Sequence, residues 1–460
     1  MSKNERNEKM KKAISFAIAV FVAVGIAPLA GIPSNAAQSG VFGYEIENGK
    51  ATVVEVSASA DSEVTVPSVL GGYEVAKIGE KAFYGNKNII KINLPETLTE
   101  IGINAFALCS NLKSVNIPSS LIRIKDYAFN GCSSLESVIF PETLEEIGSL
   151  AFNNCRKATF SAIPKNVTRI GVNPFVWCEN AVVALEEGNE RYVITSGCLV
   201  DTAKKLLVCG TDTSGIPADG SVTEIGDYAF AECKKMTEII IPDTIEKIDA
   251  AAFFLCGKLK SITVPSSVKS LGLFVFSGCY ELESATINEG LTELPQRTFG
   301  VCTSLKEDSL PRSLTSLSKN AFDKCSSLEK LTFHGNAFIS DGFVPSEYLP
   351  EKSGLTVYYE PSFSAGFSTP DWGGYPGYPI GGATVVYGDA DGDGKVDITD
   401  AMLVFYHVAK KAPLPDEALA GCDTNDDENV DIVDAMRIFY FVAKKIYTYR
   451  CVRTIWRYYI

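Results

Sequence analysis

The sequence predicts an α+β chain of several domains. A solenoid of 23-residue repeats with short parallel strands is followed by a small α-helical module built on two acidic loops. Three observations carry that prediction. An apolar pattern of fixed length recurs through the middle of the chain. A twelve-residue acidic loop appears twice near the C-terminus, each time followed by nearly the same helical segment. A basic stretch and an apolar run open the chain. At 460 residues there is length for two or three domains with sizeable cores.

The first twelve residues carry Lys3, Arg6, Lys9, Lys11 and Lys12, and an apolar run from Ala13 to Ile26 precedes Pro28, Pro33 and Ser34-Asn35-Ala36. That order is the one a secretory signal uses, so residues 1–36 are assigned to a signal peptide cut after Ala36. Pro28 and Gly31 argue against a long spanning helix, and no other stretch is apolar enough to cross a membrane. Cleavage removes five positive and two negative charges and takes the net charge from −14 to −17. An acidic chain of this kind has no electrostatic reason to seek nucleic acid or anionic lipid.

From Ile78 the pattern Ile-Gly-x-x-Ala-Phe-x-x-Cys-x-x-Leu, then an apolar alternation, then Pro returns every 23 residues. Its phenylalanines are Phe83, Phe106, Phe129, Phe152 and Phe175, then Phe230, Phe253, Phe276, Phe299 and Phe322. The gap of 55 residues between Phe175 and Phe230 is two periods plus nine. So short a period means a solenoid, because each unit buries its apolar face only by stacking on its neighbours. The segment before the Pro reads as a strand, as in Ile92-Asn93-Leu94, Val115-Asn116-Ile117 and Ile262-Thr263-Val264. The period-two rule turns the outer members inward and the middle one to solvent.

These repeats closely resemble the BspA-like leucine-rich repeats of bacterial surface proteins. The resemblance implies an N-terminal cap over residues 37–77, repeats over 78–345 and a C-terminal cap and linker over 346–386. It also implies adhesion or protein recognition in general terms.

Nine of the thirteen cysteines follow the repeat Phe by three residues, from Cys109 to Cys325. A fixed register stacks them in one column pointing the same way, which suits small buried hydrophobes better than bridges. Cys198 and Cys209 lie in the irregular stretch and could pair. The exposed strand column runs Asn93, Asn116, Ile139, Ala162, Ile240, Thr263, Thr286, Ser309 and Thr332. The column before it includes Lys91, Ser114, Ser137 and Phe160. Faces so poor in aromatics do not advertise sugar binding, which stacks rings on aromatic planes. The segment Asp371-Trp372-Gly-Gly-Tyr375-Pro-Gly-Tyr378-Pro reads as a seal on the open end of the solenoid.

The two histidines, His334 and His407, have no sequence context that suggests a nucleophile partner, so serine or cysteine hydrolysis has little support. No phosphate-binding glycine loop or HExxH occurs, and glycosidase acid pairs have no fixed spacing to search for. The expectation is a chain that is not an enzyme.

The C-terminal loops read Asp389-Ala-Asp391-Gly-Asp393-Gly-Lys395-Val-Asp397-Ile398-Thr399-Asp400 and Asp423-Thr-Asn425-Asp-Asp427-Glu-Asn429-Val-Asp431-Ile432-Val433-Asp434. Oxygen side chains fall at positions one, three, five, nine and twelve, the spacing that wraps a chain around Ca²⁺. Lys395 and Asn429 would ligate through their carbonyls. So many carboxylates in one loop repel each other without a cation, which couples metal binding to folding. The following segments, Ala401 to Lys411 and Ala435 to Lys445, agree at eight of eleven positions. No helix precedes either loop within the repeat, so each unit is a loop plus one helix.

This module, residues 387–448, resembles a type I dockerin. The resemblance implies two F-hand calcium sites with two bound Ca²⁺ ions and a cohesin domain of a scaffoldin as partner. It places cohesin contacts at Ile398, Thr399, Ile432 and Val433. Two departures stand out: Glu428 replaces the glycine that Gly394 supplies in the first loop, and those contact positions are not the usual Ser-Thr pairs. Residues 449–460 form a basic, aromatic tail whose role the sequence leaves open. The resulting expectation is a secreted, non-catalytic subunit of a cellulosome-type complex, its repeats recognising a protein or mediating adhesion. The alternatives are a carbohydrate-binding accessory that targets cell-wall polysaccharide and a divergent polysaccharide-degrading enzyme.

Overall fold

In the computed structural model, residues 36–57, 60–335, 349, 355–360, 371–372, 375–379, 390, 396–410, 414, 422, 424 and 430–446 are described. The chain opens with the antiparallel strands Ala37–Ser39, Phe42–Glu47 and Lys50–Val56. The last of these pairs in parallel with Tyr73–Ile78, and a β-solenoid of about 13 turns follows.

Each regular coil carries two short strands. The expected one is present: Glu63–Thr65, Lys91–Asn93 and Ser114–Asn116 pair in parallel, as do Ser261–Val264, Ser284–Ile287, Glu307–Leu310, Lys330–Phe333 and Thr356–Tyr359. Ile92, Leu94, Ile262 and Val264 are buried while Asn116 and Thr263 face solvent, as the alternation requires. The second column was not expected. Residues Glu100–Ile101, Arg123–Ile124, Glu146–Ile147 and Arg169–Ile170 form another parallel sheet, its inward member being the Ile of the repeat motif. Two-residue strands leave too short an alternation to read from sequence. Their outward members alternate in sign, so Glu100 lies 2.8 Å from Lys77 and 2.9 Å from Arg123, and Glu146 lies 3.1 Å from Arg169. Such half-exposed pairs add little stability, though like charges in that register would repel.

The repeat Phe side chains stack down the core, with ring centroids 5.1 Å apart for Phe106 and Phe129 and 5.2 Å for Phe230 and Phe253. All of these rings are fully buried. The glycine of Ile-Gly is set by close approach between coils: a Cβ on Gly272 would lie 2.2 Å from the amide nitrogen of Ala250.

Two positions depart from the expected columns: Thr332, expected to face solvent, is buried, and the strand at Phe160 is out of register. Thr159 pairs with Ser137 and Phe160 with Val138, so the strand slips by one residue there. A one-residue slip exchanges faces. Phe160 therefore turns inward, its centroid 4.8 Å from Phe175 and 5.1 Å from Phe152, rather than lining the exposed column.

The 55-residue interval folds as Tyr192–Thr195, Cys198–Asp201 and Leu206–Cys209, antiparallel to one another, the last pairing in parallel with Glu224–Ile225. All four residues of Cys198–Asp201 are buried, and they serve two cores. Leu199 and Cys209 pack with the coils before the interval, Cys198, Val200 and Leu207 with those after it. Cys198 and Cys209 thus sit in different clusters, and both thiols are free. The Gly210 amide donates to the Ala229 carbonyl, as Phe83 does to Ala105 in a regular coil. Gly210 stands where a Phe would stand, and a Cβ there would come within 2.2 Å of the Phe230 ring.

At the far end, Thr356–Tyr359 pairs in parallel with Tyr375–Pro379, and Asp371–Trp372 folds back antiparallel on the latter. The aromatic segment therefore continues the sheet, in keeping with a seal. Two helices, Ile398–Val408 and Ile432–Ile446, complete the described chain.

Candidate docking site

Each C-terminal helix begins in the same way. Asp397, in extended conformation, caps the first helix: its Oδ1 accepts from the Thr399 amide at 2.7 Å. Asp400 returns the contact, Oδ2 accepting from the Asp397 amide at 2.7 Å, which completes a reciprocal capping box. Its other oxygen accepts from the Ala390 amide at 2.8 Å, tying the second residue of the loop to the helix. The second copy repeats this geometry. Asp431 accepts from the Val433 amide at 2.7 Å, and Asp434 accepts from Asp431 and Thr424 amides at 2.8 and 2.7 Å. The Thr424 hydroxyl adds a bond to Asp434 at 2.9 Å that Ala390 lacks in the first copy.

Asp400 and Asp434 are almost wholly buried. Each of their oxygens accepts a backbone N–H, and Oδ1 of Asp434 accepts the Thr424 hydroxyl as well. Two hard oxygens, held at a helix N-terminus and closing an acidic loop, are the donors an alkaline-earth ion prefers. The residues present fit Ca²⁺. Asp389, Asp391, Asp393, Lys395, Asp423, Asn425, Asp427 and Asn429 lie outside the described residues.

The helices pack through equivalent positions. Ala401 and Val404 on one, and Ala435, Ile438 and Val442 on the other, join Ala390, Val396, Leu414 and Cys422 in one small core. The opposite faces are apolar yet exposed. Ile398, Met402, Phe405 and Tyr406 on the first helix match Ile432, Met436, Phe439 and Tyr440 on the second. Positions i, i+4, i+7 and i+8 share one side of a helix, so each half presents a continuous apolar stripe. Thr399 and Val433 stand exposed at the head of their stripes. His407 serves locally: its Nδ1 accepts from the Leu414 amide at 2.9 Å.

The repeat thiols form the expected column, and eight of the nine, all but Cys233, donate to the carbonyl of a Phe in the preceding coil. The Sγ of Cys109 donates to the carbonyl of Phe83 at 3.0 Å, and Cys256 to that of Phe230 at 3.1 Å. Burial pushes the Cys109 thiol up to about 12 and the Cys256 thiol well above its ordinary range, so these are not nucleophiles.

His334 occupies a position that sequence reasoning missed. Its Nε2 lies 2.9 Å from Ser309 Oγ and its Nδ1 3.0 Å from Glu360 Oε1. The three residues are 25 and 26 positions apart, about one coil each. That spacing was the available signal. Its hydrogen bond from His334, helped by the guanidinium of Arg312 at 3.3 Å, holds Glu360 below the usual carboxylate range.

A coiled parallel solenoid joined to a two-helix module with a duplicated capped loop defines a repeat protein that carries a docking domain. The model of the BspA type leucine rich repeat region matches residues 62–182 and 223–343 in six copies, more than half the chain, and the protein belongs to that family. The type I dockerin domain model matches residues 387–440. Type I dockerins bind cohesins in cellulosome-like assemblies and bind calcium. Both families are non-catalytic. Among solved structures, a leucine-rich repeat protein from Eubacterium ventriosum is 21% identical with a TM-score of 0.54, over 71% of this chain and 92% of that one. A leucine rich cell surface protein from Faecalibacterium prausnitzii is 25% identical with a TM-score of 0.49, over 71% and 100%. No curated protein matches. Among the described residues no helix is long and apolar enough to cross a membrane.

Proposed function

We propose that this protein is a secreted subunit of an extracellular cellulosome-type complex. Its dockerin binds a scaffoldin cohesin in a calcium-dependent manner, while its leucine-rich repeats recognise a protein ligand or mediate adhesion. The observation that carries the docking half is the repeated geometry of Asp397 with Asp400 and of Asp431 with Asp434. One Ca²⁺ would be held by Asp389, Asp391, Asp393, Asp397 and Asp400 with the Lys395 carbonyl. The other would be held by Asp423, Asn425, Asp427, Asp431 and Asp434 with the Asn429 carbonyl. When bound, the ion supplies the charge that lets several carboxylates share one small loop. The residues do the rest: Asp400 and Asp434 fasten each loop to its helix, and the shared core fixes the two stripes that start at Ile398-Thr399 and Ile432-Val433.

Because the halves match, the module can present either stripe to one cohesin site. Titration of the full chain against a panel of cohesins, with Ca²⁺ and with EDTA, tests this. The reading expects binding only with Ca²⁺. It also expects a variant changed to Ile398→Asp and Thr399→Asp to bind through the other half, with loss only when Ile432 and Val433 are changed as well. Binding unaffected by EDTA would sink the calcium reading, and complete loss in the single-half variant would sink the two-sided one.

For the repeats, the outward positions Asn116, Ile139, Ile240 and Thr263 offer no aromatic platform, which favours a protein ligand over a glycan. Retention of the full chain on plant cell wall, before and after the wall's protein is stripped, separates the two. Retention that survives stripping would make the protein a carbohydrate-targeting subunit.

A further inference from the structure

We propose that Ser309, His334 and Glu360 form a serine-nucleophile site that cleaves accessible carboxylic esters. This is an activity neither family supplies, and it is independent of the docking reading. The solenoid assembles the trio from three successive coils. Ser309 lies on the outward side of Glu307–Leu310, His334 just past Lys330–Phe333, and Glu360 just past Thr356–Tyr359. Parallel register places Ser309 beside Thr332 and Thr332 beside Tyr358, so residues a coil apart in sequence become neighbours. The side chains then form one chain of contacts, Ser309 Oγ to His334 Nε2 at 2.9 Å and His334 Nδ1 to Glu360 Oε1 at 3.0 Å.

A hydroxyl next to a base that is itself oriented by a third group is the geometric mark of an activated nucleophile. Glu360 accepts from Nδ1–H and so leaves Nε2 to accept the Ser309 proton; it is a positioning residue. Arg312, 3.3 Å from the same Glu360 oxygen, keeps that carboxylate ionised and able to stabilise the imidazolium as it forms. In the first step Ser309 Oγ attacks the ester carbonyl, its proton passes to Nε2, and the alcohol leaves with that proton. Water then attacks the acyl-serine with His334 as base, releasing the acid and restoring the hydroxyl. No redox partner is needed.

The surroundings set the substrate class. The trio lies on an open sheet face, with the His334 side chain about a third exposed, so the ester must project from an extended chain laid across the coils. Tyr358 stands two strands along from Ser309, with the Lys330 ammonium 5.4 Å above its ring, a platform for a ring-bearing portion of such a chain. Esters fit better than amides, because the alkoxide leaving group needs less assistance than an amine.

The test is labelling of the full, calcium-loaded chain with a fluorophosphonate, which phosphonylates an activated serine with loss of fluoride. The modified residue is located by mass spectrometry. The expected adduct is on Ser309. It should be absent in Ser309→Ala, slower by about a hundredfold in His334→Ala and by about tenfold in Glu360→Gln. Should His334→Ala lose its fold, His334→Gln carries the same comparison. No adduct on Ser309, or equal rates in wild type and the His334 variant, would overturn the proposal and leave the trio as a tie between coils and cap.

Discussion

The thiol of Cys132 donates a hydrogen bond to the carbonyl oxygen of Phe106, 3.1 Å away and 26 residues earlier in the chain. The same bond joins Cys155 to Phe129 and Cys302 to Phe276. Each thiol fills a slot too small for a larger side chain and gives a weak donor to a carbonyl that the preceding coil buries. Burial also pushes Cys132, Cys155 and Cys302 well above the ordinary thiol range. Iodoacetamide at pH 8 should therefore leave the repeat cysteines unmodified in the native protein and modify all nine after unfolding, as read by peptide mass spectrometry. Alkylation of Cys132 in the native state would contradict the packing.

Asp308 occupies an inward strand position where the neighbouring coils carry Ala285 and Leu331. It is 3% exposed, its Oδ1 accepts from the Ser309 amide, and its Oδ2 has no partner among the described residues. Burial raises its acid range well above normal. The penalty is absent below the unfolded carboxyl range near pH 4 and grows as pH rises, because the unfolded chain releases the proton that the folded chain keeps. Asp308→Val should raise stability at pH 7 by about 2 kcal/mol and by much less at pH 4. Urea titrations at the two pH values check both magnitude and sign.

Val301 has φ of 62°, a left-handed backbone that a β-branched residue rarely adopts. Gly278 holds the corresponding place one coil earlier, with φ of 79°. Val301→Gly should then gain about 1 kcal/mol from relieved backbone strain, offset in part by lost packing of a half-buried side chain. Val301→Asn, which tolerates that conformation, should also match or exceed wild type in thermal unfolding. A clear loss in both variants would show that the valine's packing outweighs its strain.

Nearly all of the α-helix among the described residues lies in the 11- and 15-residue helices that follow the acidic loops. If Ca²⁺ holds those loops, chelation should remove most of the helical circular-dichroism signal and leave the solenoid's β signal unchanged. Returning Ca²⁺ to about 100 times its Kd should restore the signal and about 2.7 kcal/mol of apparent stability to that module. Asp400→Ala together with Asp434→Ala should mimic chelation, since each carboxylate links its loop to its helix.

Much of this was legible before any coordinates, for a physical reason. A solenoid repeats one local environment, so Phe106, Phe129 and Phe152 read as a stack and Cys109, Cys132 and Cys155 as a column from period alone. The duplicated acidic loop was equally plain, because its oxygen-bearing residues recur at the same spacing along the chain. The second strand column was harder, since Glu100–Ile101 and Arg123–Ile124 are too short to alternate. Phe160 misled for a related reason: a single-residue slip leaves the composition unchanged but reverses the face.

The sequence by itself determined the repeat, the core column and the duplicated acidic loop, all of them set by spacing within one unit. Only the tertiary structure decided what stacking brings together between units. It put Cys198 and Cys209 into different cores, seated Gly210 where a Phe ring has no room, and joined Ser309, His334 and Glu360 into one chain of contacts. Those relationships depend on how far each coil advances and where its register slips. Neither quantity is written in any single repeat.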